Sequence, residues 1–218
     1  MELIKQLIDF ILHIDKHLEV ITNQYQGWTY LILFVIIFAE TGFVVTPFLP
    51  GDSLLFAAGA LIANGNSGLD IKLLGLILII AAFTGNTLNY YIGSLLGPKV
   101  FKEKNKVLKL DYYLETKAFF DKHGGKAVIL SRFMPIIRTI APFVAGVGKM
   151  PVARYSLYNI IGGTAWIILF LAGGYLLGNV TFIKTHISLL GIVIILLSVV
   201  PAIWAAIKAR SAKKSKAA

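Results

Sequence analysis

The sequence predicts an all-α polytopic membrane protein, an inverted repeat of a re-entrant helical hairpin plus a transmembrane helix. An N-terminal amphipathic helix precedes the repeat and an extra C-terminal transmembrane helix follows it. Three observations carry this. Of 218 residues, 57% are hydrophobic and 15% charged, where a soluble domain carries about 25% charge. Segments 72–96, 155–178 and 186–207 are apolar and long enough for helical spans of about 20 residues. Two other apolar stretches, 28–63 and 126–150, are broken by prolines and charges.

The elements follow in chain order. In residues 1–27, Leu3, Ile4, Leu7, Ile8, Ile11, Ile14, Leu18 and Ile21 share one helical stripe, with Glu2, Lys5, Asp9, Lys16 and Glu19 off it. That spacing fits an amphipathic helix on the membrane surface, or a helix packed on a protein core. The first 20 residues contain no continuous apolar run, so a cleavable signal peptide is not expected. Trp28 and Tyr30 then mark the interface, where amphipathic rings settle.

Residues 39–52 read AETGFVVTPFLPGD. Glu40, Pro47, Pro50, Gly51 and Asp52 interrupt what would otherwise be a span. The apolar piece after them, SLLFAAGALIA, has 11 residues and reaches about 17 Å as a helix. It cannot cross a hydrocarbon core of about 30 Å. Residues 28–63 therefore read as a hairpin with its tip inside the membrane, where irregular backbone survives only against protein or a wet cavity. Span 72–96 carries Asn86 and Asn89, which are costly in lipid and are expected to face the interior.

The stretch 97–126 has eight lysines and four acids and reads as extramembrane, ending at Gly124-Gly125. Residues 126–150, with Pro135, Pro142, Arg132 and Arg138, repeat the character of the first hairpin. Spans 155–178 and 186–207 and a basic tail, 208–218, complete the chain. Lysine-rich loops stay in the cytoplasm, so the C-terminus is expected there; the side of the N-terminus is left open. Anionic headgroups explain the net charge of +10 better than nucleic acid does.

Shifting the sequence by 85 residues places Phe48 and Pro50 on Phe133 and Pro135, Ala60 on Ala145, and Tyr90 and Gly93 on Tyr175 and Gly178. The identities are few, but the order hairpin-then-span recurs. Each unit crosses the membrane once, so the second must be inverted relative to the first. Such repeats, with discontinuous helices near the midplane, mark transporters.

Glu40 and Asp52 are the acids in apolar context. Two of only four arginines, Arg132 and Arg138, fall in the second hairpin, and Arg154 follows; the other seventeen basic residues are lysine. A guanidinium stays charged and presents a planar fork to phosphate or carboxylate. A charge at mid-membrane costs about 3 kcal/mol on insertion scales, so four such residues call for a role. Either the acids pair with the arginines to lock the hairpins together, or the arginines bind an anionic headgroup while one acid exchanges a proton. The two roles are compatible.

Other chemistry is poorly supported. The chain has no cysteine. His13, His17, His123 and His186 lack metal-ligand spacing, and no nucleophile–base pair stands out. No enzyme activity, metal or cofactor is expected. Gly162, Gly163, Gly173 and Gly174 allow close helix packing.

The patterns E-x(6)-P-x-x-P-G-D (Glu40, Pro47, Pro50, Gly51, Asp52) and R-F-x-P-x-x-R (Arg132, Phe133, Pro135, Arg138) resemble the DedA family, bacterial relatives of the SNARE-associated Golgi, or VTT-domain, proteins. The resemblance covers residues 28–180. It implies two opposed re-entrant hairpins and lipid translocation, of undecaprenyl phosphate or a phospholipid, dependent on the proton motive force, in the bacterial cytoplasmic (inner) membrane. The family's essential acids and arginines match Glu40, Asp52, Arg132 and Arg138. In one departure, Gly85-Asn86 stands where many members have Gly-Asp. Arg132 and Arg138 are then expected to hold the phosphate, Glu40 and Asp52 to balance them and couple protons, and Pro47, Pro50, Gly51, Pro135 and Pro142 to shape the hairpins. The expected partners are lipids with anionic phosphate headgroups, with homo-oligomerisation left open. The competing readings are a proton-coupled carrier of a small ion or solute and a structural envelope-maintenance factor.

Overall fold

A computed structural model describes residues 14–25, 27–43, 51–65, 67–97 and 110–178. Residues 1–13, Pro47 and Pro50 at the expected first tip, the lysines between 98 and 109, span 186–207 and the basic tail lie outside the described residues. The described residues are helical, with no strand among them.

The helices are α1 (Ile14–Tyr25), α2 (Trp28–Gly42), α3 (Gly51–Ala63), α4 (Ile71–Leu96), α5 (Leu110–His123), α6 (Ala127–Ser131), α7 (Pro135–Val147) and α8 (Val152–Gly178). Of these, α4 with 26 residues and α8 with 27 are long and apolar enough to cross a membrane. α8 contains a π-helical turn over Ile168–Ala172. The boundaries follow local chemistry. Asp70 caps α4 by accepting from the Leu73 N–H at 2.8 Å, as short polar side chains do at helix starts. After α5, Gly124 takes φ +58°, a conformation that favours glycine. Pro135 opens α7 as its first residue, behind an extended Met134, the geometry that X-Pro steps prefer. Pro142 lies inside α7, not at the break. It lacks an N–H, so the Arg138 carbonyl loses its usual i+4 donor.

Contacts give the helix directions. Tyr30 at the start of α2 accepts from the Asp70 N–H at the start of α4, at 2.8 Å. Further along, Gly42 meets Gly85, so α2 runs parallel to α4 for about its first half. α3 returns to the link before α4. α7 runs from the middle of α4, where the Thr139 carbonyl accepts from Asn89 Nδ2 at 2.9 Å, to its far end, where Gly146 lies on the Tyr90 carbonyl. α8 starts at that far end and runs antiparallel to α4, from Tyr155 beside Asn86 to Leu171 beside Gly75.

The helices pack crosswise. α3 packs on the C-terminal part of α8, and α7 on α4. Glycines make both crossings possible: a Cβ on Gly59 or Gly174 would strike backbone of the facing helix, as would one on Gly93 or Gly146. α3 is buried without a break from Gly51 to Ala60, as suits a helix apolar on every side. By contrast, α4 exposes Leu73, Leu76 and Ile80, and α8 exposes Leu157, Ile160, Ile168 and Leu176. Such outward apolar faces suit lipid and not water. Leu18 of α1 turns into the core formed by Leu33, Ile37, Leu54, Leu55, Leu74, Leu78 and Trp166.

Candidate functional site

The site is where broken helices meet. Glu40 lies in the last turn of α2, Asp52 in the first turn of α3, Arg132 in the break between α6 and α7, and Arg138 one turn into α7. All four are buried or nearly so: Glu40 is 2% exposed, Asp52 8% and Arg132 1%, and the Arg138 side chain 11%.

Arg138 spans two helices. Its Nη2 donates to Glu40 Oε1 at 2.8 Å and its Nη1 to Asp52 Oδ1 at 2.6 Å. These are charge-assisted bonds of the strong kind. Trp166, fully buried on α8, donates its Nε1–H to the same Asp52 oxygen at 2.8 Å. Gly51 is required here by space, because a Cβ would overlap the Glu40 carboxylate. That gives the glycine of the P-G-D pattern a packing role beyond chain flexibility.

Arg132 is held differently. Among the described residues no carboxylate lies within salt-bridge distance of it. Its Nη2 donates to Asn159 Oδ1 at 2.8 Å and to the Ala82 carbonyl at 3.2 Å. The Asn86 amide fits with its oxygen toward the guanidinium, accepting from Nε at 3.2 Å and Nη2 at 2.7 Å, while its nitrogen donates to the Thr41 carbonyl at 3.1 Å. In the opposite orientation its nitrogen would face the arginine's donors. Asn159 Nδ2 donates onward to the Phe83 carbonyl at 3.1 Å. Gly162 and Gly163 leave room for the Arg132 side chain. Tyr155 closes this region by donating to the Asn86 carbonyl at 2.8 Å, and Tyr90 stacks on Tyr155 at 4.4 Å between centroids.

Both guanidinium carbons lie over the Trp166 ring, Arg132 at 5.7 Å and Arg138 at 5.2 Å, within cation–π range. The fold thus gathers Glu40, Asp52, Arg132, Arg138, Asn86 and Asn89 in one buried region, as their polarity in apolar context predicts. Pro135 and Pro142 flank Arg138 on α7. Sequence reasoning missed Trp166 and Asn159. Asn159 carries the same signal as Asn86, an amide within an apolar span; Trp166 carries none, because a tryptophan in a span is ordinary.

Known proteins match this chain over most of its length. The VTT domain family matches residues 49–176. Protein DedA of Escherichia coli K12 is 48% identical over 204 residues, 93% of each chain. An uncharacterized membrane protein of Mycobacterium leprae is 40% identical over 173 residues, 79% of this chain and 77% of its own. Inner membrane protein YqjA of Escherichia coli K12 is 34% identical over 199 residues, 90% and 89% of the two chains. No solved structure matches.

Proposed function

The chain belongs to the DedA family of VTT-domain membrane proteins, and we propose that it is a lipid translocase of the bacterial cytoplasmic membrane. It moves undecaprenyl phosphate or a phospholipid between leaflets, coupled to the proton motive force. The observation that carries this is the Arg138 fork, buried between Glu40 and Asp52 from two other helices. A phosphate presents the same paired oxygens as those carboxylates and can take their place on the fork. Arg132 adds a second positive charge beside it.

Two opposed re-entrant hairpins, related as an inverted repeat, complete the reading. In support, α2 starts and α3 ends at the end of the bundle where α4 begins. α6 and α7 form a turn whose two limbs open toward the other end of α4. α3 spans 13 residues, about 20 Å, less than a bilayer core. The second helix of each hairpin, α3 or α7, packs on the span of the other half, so a displacement of one half against the other moves the two arginines relative to the two acids. The C-terminus lies in the cytoplasm.

Reconstitution tests this. Purified protein in liposomes should transfer labelled phospholipid or polyprenyl phosphate between leaflets, faster with a proton gradient, and Arg138→Ala should abolish the transfer. Absence of transfer of every lipid phosphate tried, with and without the gradient, would falsify the reading; movement of a small solute in its place would favour a carrier.

A further inference from the structure

We infer that Glu40 is the proton-exchanging acid of the cluster. The inference rests on the proposed transport reading for its purpose, but not for its geometry.

The two acids share Arg138 but differ in every other respect. Asp52 Oδ1 accepts two donors, Arg138 Nη1 at 2.6 Å and Trp166 Nε1 at 2.8 Å. Bonds donated to a carboxylate favour its ionised form. Asp52 also lies in the first turn of α3, where the helix dipole favours a negative charge. Glu40 accepts one bond, from Arg138 Nη2 to Oε1. Its Oε2 is buried without a hydrogen-bond partner; Gly51 crowds it without donating. Glu40 lies in the last turn of α2, where the dipole disfavours an anion.

A proton arriving at Oε2 therefore weakens the one bond that Glu40 accepts, whereas a proton on Asp52 would weaken two. The charged neighbours of Glu40 are Arg138 on α7, Asp52 on α3 and Arg132 at the α6–α7 break. α4 contributes the neutral amides Asn86 and Asn89 at the adjoining Thr41 carbonyl, and α8 contributes Trp166. With both acids ionised the four charges sum to zero. With Glu40 neutral the cluster carries one net positive charge, and the Arg138 Nη2 bond loses its anionic acceptor and weakens. Protonation of Glu40 thus loosens one tine of the fork so that an anion can displace it, and binding the anion restores neutrality.

Difference infrared spectroscopy on the full chain in diether-lipid vesicles, whose lipids carry no carbonyl, reads the acid directly without any transport. Stepping from alkaline to acidic buffer should raise one buried protonated-carboxyl band. Glutamate labelled with carbon-13 at its carboxyl should shift that band to lower frequency, and labelled aspartate should not. Glu40 is the buried glutamate and Asp52 the buried aspartate among the described side chains, and Glu40→Gln should remove the band. A band that moves with labelled aspartate, or no titrating band at all, overturns the assignment. The labelled wild-type protein needs no substitution to fold. A glutamate band without lipid transfer would leave this assignment standing and sink the transport reading alone.

Discussion

Arg138 and Arg132 lie on the same hairpin and share one tryptophan ring, yet their surroundings are opposite. Arg138 is neutralised by Glu40 and Asp52, side chains from two separate helices. Arg132 is held by the amides of Asn86 and Asn159 and by the Ala82 carbonyl. Carboxylates can be displaced by another anion or silenced by a proton; amides and carbonyls cannot. The difference separates an arginine built to exchange partners from one built to stay in place. Arg132 is thus held without a counter-charge at salt-bridge distance, by acceptors on Nε and Nη2, while its buried Nη1 has no hydrogen-bond partner.

The largest break in this contrast is Arg138→Ala. It strands two buried carboxylates and should cost about 3–5 kcal/mol, read as a lowered unfolding temperature in detergent. Replacing all three members, Arg138→Met with Glu40→Leu and Asp52→Leu, should recover most of that stability, because buried ion pairs exchange for apolar groups nearly evenly. Transport should stay absent; recovered transport would make the cluster structural.

Arg132→Lys comes next. An ammonium keeps the charge but cannot reach Asn86, Asn159 and Ala82 together, and the loss should be about 1–3 kcal/mol. Arg138→Lys should lose less stability and more transport, since a point charge still attracts two carboxylates. Equal losses in the two variants, in both assays, would erase the distinction drawn here.

The crossings that hold the halves in register give a third comparison. Gly174→Ala places a Cβ into the Phe56 carbonyl, whereas Gly173 has open space beside it. The first should cost about 1–3 kcal/mol and the second should stay within about 0.5 kcal/mol, both by thermal unfolding. The smallest effect is expected for Asn86→Asp, which gives Arg132 a carboxylate of its own and makes it resemble Arg138. Gain and desolvation nearly cancel, so stability should move by less than about 1 kcal/mol. Its readout is the pH profile of transport, which should broaden as a third buried acid joins the cluster.

The cost of polar groups in hydrocarbon made much of this molecule legible in its residues. Asn86, Asn89, Glu40, Asp52, Arg132 and Arg138 stand out against apolar neighbours, and each is buried with a polar partner. The two described spans follow from length and hydropathy, and Pro135 from its effect on the residue before it. Pro142 shows the limit: the residue type predicts a disturbed helix, but Pro142 lies within α7.

The sequence by itself determined that the chain is an all-helical membrane protein with four costly charges at the breaks in its helices. Those facts depend on composition and spacing alone. Only the tertiary structure decided which acid meets which arginine, that Arg138 takes both acids while Arg132 takes amides, and that Trp166 joins them. The reason is physical. Burial is a property of one residue and its neighbours in sequence, whereas pairing depends on how α2, α3, α7 and α8 cross, and that is set by glycine contacts between residues far apart in the chain.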